Sequence, residues 1–155
     1  MIEEESVMIT TMDADTLVPE LYMTEVESYI RKNPDNRHKS IFAGPQIFTR
    51  NCMETSVVVR VNDMMHSFAH LANLPAIFFS FPLSNYTLSY TLVNRVKGWD
   101  TCHDAVGEDF HMVQKSYWKT QNDIKTVPIY VPFNQLSLQT DKGHVSDIRA
   151  RFWQA

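Results

Sequence analysis

The stretch Val7-Met8-Ile9-Thr10-Thr11-Met12-Asp13-Ala14-Asp15-Thr16 decides how the chain is read. Val7 to Met12 is short, β-branched and apolar, and Asp13 closes it, which predicts a buried strand. In open α/β sheets ligands gather just outside the carboxyl ends of strands. Asp13 and Asp15 sit at such an end. Two carboxylates two residues apart can share a divalent cation, because hard cations take oxygen ligands and often bind one or two carboxylates plus substrate phosphates. The same Asp-Ala-Asp is also ordinary turn or capping chemistry.

Outward from this point, strands and helices alternate. Pro19 is tolerated in a first helical turn. Tyr22, Val26, Tyr29 and Ile30 recur at helical spacing, so a helix should run to about Lys32 and end at Asn33-Pro34-Asp35-Asn36. Ser40 to Thr49, with Gly44-Pro45 at its centre, reads as strand, break, strand. Asn62 or Asp63 can cap a helix carrying Met65, Phe68, Ala69 and Leu71. Ala76 to Phe81 reads as a strand, and Thr87 to Val96 as a helix stopping at Gly98. Glu108 and Asp109 open a helix that reaches about Lys119. Ile124 to Val131 is a strand whose Pro128 suggests an edge or a bulge. Ser146 and Asp147 can start a last helix through Arg149, Arg151 and Trp153. The alternation indicates an α/β or mixed sheet.

The composition narrows the function classes. The chain has 155 residues, 44% hydrophobic and 21% charged, which is ordinary for one globular domain. Fourteen Lys and Arg stand against 18 Asp and Glu, a net charge of −4. Duplex binding needs an excess of cations to displace phosphate counterions, so nucleic acid is not an expected partner. Cys52 and Cys102 are far apart and lack CxxC spacing, which points to neither a disulfide scaffold nor a zinc site and fits a reducing compartment. The most apolar run, Ala76 to Phe81, is far short of the roughly 20 residues a spanning helix needs. The acidic start Met1-Ile2-Glu3-Glu4-Glu5 is not a signal peptide.

Two further clusters carry chemistry-bearing groups. One is Lys97-Gly98-Trp99-Asp100, followed by Gly107-Glu108-Asp109-Phe110-His111. Adjacent Glu108 and Asp109 on a helix point in different directions, so one can react and the other support it. The pair also suits a helix start, where acidic side chains meet the dipole favourably. The other cluster is Arg149-Ala150-Arg151-Phe152-Trp153. Arg can bind a diphosphate through two nitrogens, and Trp offers a face for a sugar ring. An amphipathic helix with exposed Arg explains the same residues. His66 and His70 share a helix face but lack the Glu of a zinc-protease motif, so they read as a surface pair. His103-Asp104 with Asp109 and His111 suggests, as an alternative, a metal-dependent phosphohydrolase. His144 lies in a Gly-containing loop.

Taken in order, D-A-D after a strand, G-W-D and G-E-D-F-H, then R-A-R-F-W resemble the family 2 type of inverting nucleotide-sugar glycosyltransferases. The nearest look is to a fungal, membrane-associated, glycosyltransferase 2-like branch. The resemblance spans Val7 to Ala155 and includes Gly44-Pro45-Gln46-Ile47-Phe48, Ser84 to Ser89 and Tyr117-Trp118-Lys119-Thr120. It implies a GT-A, Rossmann-like mixed sheet flanked by helices. Because D-A-D arrives at residue 13, the N-terminal βαβ units of that fold are expected to be lacking. Residues 1–155 are then the C-terminal part of a catalytic domain, truncated at both ends.

By the resemblance, Asp13 and Asp15 match the D-x-D that holds the nucleotide and its metal, with Asp15 on the cation, Mg2+ or Mn2+. Glu108-Asp109 matches the acidic pair whose Asp is the general base. Trp99 and Asp100 fall beside the acceptor. Arg149, Arg151 and Trp153 fall near the diphosphate and acceptor, and His111 is a candidate auxiliary metal ligand. The last element departs from Q-x-x-R-W: it has no leading Gln, and Phe152 separates Arg151 from Trp153. Lys97 stands where many relatives have a second Gly. The implied reaction transfers a sugar from a nucleoside-diphosphate sugar to an acceptor hydroxyl, carbohydrate or lipid-linked, with inversion. The fragment alone is expected to be inactive or incomplete, or a non-catalytic remnant. Full-length relatives are membrane-associated with a cytosol-facing catalytic domain. This chain, with its membrane segments absent, is expected to be soluble and cytoplasmic.

Overall fold

The computed structural model describes residues 6–75, 82–99, 107–140 and 142–154. The expected strand at Ala76 to Phe81 lies outside them, as do Asp100, Cys102, His103 and Asp104. The elements run β1 (Met8–Thr11), β2 (Thr16–Leu17), α1 (Glu20–Lys32), a 3-10 turn (Pro34–Lys39), β3 (Ser40–Ala43) and β4 (Gln46–Ile47). Then come α2 (Val57–Asn73), β5 (Tyr86–Ser89), α3 (Tyr90–Val96), α4 (Glu108–Lys119), β6 (Lys125–Pro128), β7 (Phe133–Gln135) and α5 (His144–Gln154).

The larger sheet has the order β1-β5-β3-β6. β5 is antiparallel to both β1 and β3, and β6 is parallel to β3. Helices cover both faces. Successive strand residues point to opposite sides, so Phe42 and Ile41 enter different cores. Phe42 joins Tyr22 and Val26 of α1 with Val127, Ile129, Val131 and Phe133. Ile41, with its register partner Leu88, joins Leu92, Val93 and Val96 of α3 and Met112 of α4. Tyr22 fixes α1 to the sheet. Its hydroxyl donates to the Phe42 carbonyl at 3.0 Å and lies 3.1 Å from Thr87 Oγ1. Burial pushes its phenol pKa up.

A second sheet, β2-β7-β4, is built from strands of two or three residues. The chain crosses from one sheet to the other at Gly44-Pro45. A Cβ on Gly44 would stand 2.7 Å from the Val131 carbonyl oxygen and 3.0 Å from the Phe133 ring. Only glycine permits that approach. The Pro45 carbonyl then accepts the Phe133 amide at 2.8 Å and aligns β4 with β7.

Several expectations hold, and several need correction. Helix α1, the strand-break-strand at Ser40 to Thr49 and helix α4 fall where the sequence puts them. Among the described residues β6 is an edge strand, as Pro128 suggests, but it spans Lys125–Pro128 and does not run on to Val131. β1 is not a buried strand. It is half-buried, because among the described residues it pairs only with β5. Thr87 to Val96 is not one helix. Tyr86 to Ser89 forms a fully buried strand, and Ser89 Oγ then caps α3 by accepting the Leu92 amide at 3.1 Å. Neither Asn62 nor Asp63 caps α2. Ser56 does, accepting the Val59 amide at 3.3 Å, and Asp63 lies buried one and a half turns into the helix. Met65, Phe68 and Leu71 of that helix face outward. α5 begins at His144, not at Ser146. No helix among the described residues is long and apolar enough to cross a membrane.

Candidate functional site

Asp13 and Asp15 follow β1 directly, in a turn closed by the Thr16 amide donating to the Asp13 carbonyl at 3.1 Å. Both side chains are exposed. Two buried amides hold the turn. Asn85 Oδ1 accepts the Asp13 amide at 3.1 Å. Gln135 Nε2 donates to Asp13 Oδ2 at 3.3 Å and to Thr16 Oγ1 at 3.2 Å. Arg50 Nη1 donates to the Asp15 carbonyl at 2.9 Å. The second sheet thus holds the Asp13 carboxylate, since Gln135 is the register partner of Thr16.

The carboxylates open onto a cavity of about 480 Å³. Gln46 and Gln135 line it from the small sheet, His66 and His70 from α2, and Arg151 from α5. Leu136 to Gln139 form another wall. That wall is pinned twice. Asn51 exchanges two hydrogen bonds with the Ser137 backbone, at 2.7 and 2.9 Å. The buried Asp147 accepts the Thr140 amide at 2.6 Å and its hydroxyl at 2.7 Å. Those bonds hold the Asp147 carboxyl below its ordinary range.

Arg151 reaches the cavity through a buried ion pair. Its Nη2 donates to Asp63 Oδ1 at 2.7 Å, with side-chain exposures of 16% and 2%. Its guanidinium lies over the Phe48 ring, 5.6 Å from the centroid. Asp63 was read from the sequence only as a possible cap, so this partnership went unrecognised. A readable signal existed, since Asp63, His66 and His70 fall at i, i+3 and i+7, on one face of the helix.

His70 corrects a further expectation, that of a surface pair. It is buried, while His66 is exposed, and both line the cavity. Burial pushes the His70 imidazole down from 6.5 to about 4, and the charge of His66 adds to this. The neutral ring is therefore the folded form near neutral pH. Between pH 6.5 and 4 the unfolded chain binds the proton first, so stability falls as pH drops through that window and is fully retained above it. A melting series should show Tm declining from pH 6.5 to 4, and His70→Gln should flatten that decline. A slope unchanged in His70→Gln would exclude His70 as its source.

None of the remaining candidates among the described residues lines this cavity. Glu108 and Asp109 start α4, with Asp109 half-buried, and His111 follows one residue on from Phe110. None of the cavity-lining residues comes from α4. Trp99 is packed at the α3 side of the sheet, its Nε1 donating to Tyr86 Oη at 3.2 Å. Lys115 Nζ of α4 donates to the Gly98 and Trp99 carbonyls at 2.8 and 3.1 Å and ties that turn to α4. Asp100, His103 and Asp104 lie outside the described residues. Arg149 and Trp153 are exposed on α5 and do not line the cavity. Among the described residues no cluster of three His, Cys, Asp or Glu could hold a metal ion.

The profile of glycosyl transferase family group 2 matches residues 8–146. No curated protein and no solved structure matches the chain significantly. The match starts at β1, takes in the Asp-Ala-Asp turn and the whole of both sheets, and ends in the first turn of α5. The helix-flanked mixed sheets agree with a glycosyltransferase domain, and the chain belongs to glycosyl transferase family group 2.

Proposed function

We propose that the cavity at the Asp-Ala-Asp turn receives the nucleoside diphosphate of a sugar donor, and that the chain's reaction is a cation-assisted, inverting sugar transfer to an acceptor hydroxyl. Family membership supports sugar transfer itself. The finer reading is supported by one observation: Asp13, Asp15 and Arg151, from opposite ends of the chain, line one cavity.

The donor set suits Mg2+ or Mn2+. Asp13 and Asp15 are hard oxygen donors, and two carboxylates leave the other coordination positions to phosphate oxygens and water. A bound cation would neutralise the charge that develops on the leaving diphosphate. Charge balance makes that requirement physical. Asp13 and Asp15 bring two negative charges to the wall, and the positive charge of Arg151 is already shared with Asp63. A diphosphate entering alone would meet net repulsion.

Arg151 offers the phosphate oxygens a charged planar donor, and Arg149 would steer the anion from the exposed side of α5. Asp109 takes the proton from the acceptor hydroxyl, with Glu108 supporting it. The acceptor oxygen bonds to the anomeric carbon as the bond from that carbon to the phosphate oxygen breaks, and the nucleoside diphosphate departs. Trp99, Asp100 and Trp153 would border the acceptor, and His111 would support the α4 side. The acceptor assignments rest on the family resemblance, and the donor assignments rest also on the cavity.

Where a chain carrying these residues turns over nucleoside-diphosphate sugars with Mn2+ and a carbohydrate acceptor, proton NMR should show a glycoside of anomeric configuration opposite to the donor's. Retained configuration, or release of nucleoside monophosphate, would contradict the reading.

A further inference from the structure

Helix α2 turns most of its apolar surface outward. Val57, Val58, Val61, Met64, Met65, Phe68 and Leu71 are exposed, whereas Val59, Asp63 and His70 are buried. A surface helix ordinarily buries its apolar stripe. Here the inward side carries one valine, at 1% exposure, and beside it a carboxylate at 2%.

A buried carboxylate is tolerated only when it is paired. Asp63 Oδ1 takes its bond from Arg151, and Oδ2 is buried with no hydrogen-bond partner among the described residues. Arg151 is thus the group that offsets the burial of Asp63. Arg151 and Phe48 line the cavity, and Asp63 does not. Asp63 therefore touches the arginine and not the cavity space.

The consequence concerns where the guanidinium rests. A long arginine side chain has many rotamers, and this one shares a cavity with Asp13 and Asp15. Drawn onto those two, its charge would occupy the oxygens proposed for the cation. Asp63 competes for it from the α2 side, and Phe48 supports its flat face.

We propose that Asp63 is a positioning residue, which holds the Arg151 guanidinium in the cavity wall for phosphate oxygens and keeps it from collapsing onto Asp13 and Asp15. The proposal rests on the reading of this cavity as a donor site.

The test is a calorimetric titration with adenosine, guanosine, cytidine and uridine diphosphates in Mn2+, on the wild type, Asp63→Asn, Arg151→Gln and the double variant. Asp63→Asn should weaken diphosphate binding about tenfold, the size expected for losing a hydrogen bond to a charged group. The double variant should bind no more weakly than Arg151→Gln alone, because Asp63 acts only through Arg151. Additive losses would overturn the positioning role. So would equal affinities of wild type and Asp63→Asn, with the donor reading left standing. If no diphosphate binds the folded wild type, the donor reading fails and the positioning claim falls with it. Should Asp63→Asn fail to fold, Asp63→Glu displaces the guanidinium by one methylene while keeping the charge. The same tenfold loss is then expected, and unchanged affinity would overturn the proposal. ¹⁵N NMR of the arginine guanidinium groups gives an independent signature: restricted Arg151 rotation in the wild type, released in Asp63→Asn. Equal rotation in both would overturn the restraint.

Discussion

Asp15→Ala should weaken Mn2+-dependent nucleoside diphosphate binding on the order of 100-fold or more, while leaving Tm within a degree or two. The two halves of this expectation have separate causes. The Asp15 side chain is exposed, and the turn around it is held by backbone atoms: the Thr16 amide on the Asp13 carbonyl and Arg50 on the Asp15 carbonyl. Alanine keeps all of these, and exposed substitutions away from special features usually stay within about 0.5 kcal/mol. Binding is different. Removing a group that only supports a metal ligand already costs about 10- to 100-fold, and Asp15 is proposed as a ligand itself. Asp13→Ala should weaken binding comparably but also loosen the turn, because Gln135 loses the carboxylate it donates to. Titration calorimetry with parallel melting curves separates the two. Equal affinity for wild type and Asp15→Ala would remove Asp15 from the site.

Tyr22→Ala should produce the largest loss of stability, about 3–5 kcal/mol as for other buried aromatic deletions. The ring is fully buried and lies 4.5 Å from Phe133, centroid to centroid, in the core between α1 and the large sheet. Its hydroxyl also satisfies the Phe42 carbonyl and reaches Thr87. Against a typical total of about 5–15 kcal/mol, such a loss would leave a marginal fold. Tyr22→Phe keeps the ring and removes only the hydroxyl, so it should cost about 1–3 kcal/mol. Urea denaturation of both variants checks the division. A loss below about 1 kcal/mol in Tyr22→Ala would contradict the packing described for α1.

The sequence made α1 legible because Tyr22, Val26, Tyr29 and Ile30 repeat at the helical period and the helix hides one face only. β5 was harder to delimit. Tyr86-Thr87-Leu88-Ser89 alternates apolar and polar residues, but the same alternation runs on through Tyr90-Thr91-Leu92 into α3, and the polar residues of the strand are buried with the apolar ones. The one readable boundary was Ser89, three residues before the amide it caps. Of the small sheet only β4 was legible, as the strand after Gly44-Pro45; β2 and β7 escaped because two- and three-residue strands carry no period. For α2, periodicity does not reveal that Asp63 is buried beside Val59, because its partner, Arg151, is 88 residues away.

The candidate site divides in the same way. Asp13 and Asp15 could be found because a strand leads straight into them. Gln135 and Asn85, which aim the turn, are single amides far away in sequence. They acquire a role only through the β2–β7 register and the loop before β5. The sequence also grouped Glu108-Asp109 with the same reaction, and the structure starts a helix there outside the cavity walls.

The central claim is that the cavity between the Asp-Ala-Asp turn, α2 and α5 holds a nucleoside diphosphate together with a divalent cation. Calorimetric titration of the folded chain with the nucleoside diphosphates, with and without Mn2+, tests it most directly. The account predicts saturable binding in Mn2+ that disappears when the cation is chelated. Binding of equal strength with and without Mn2+, or none at millimolar ligand in a sample shown to be folded, would contradict it.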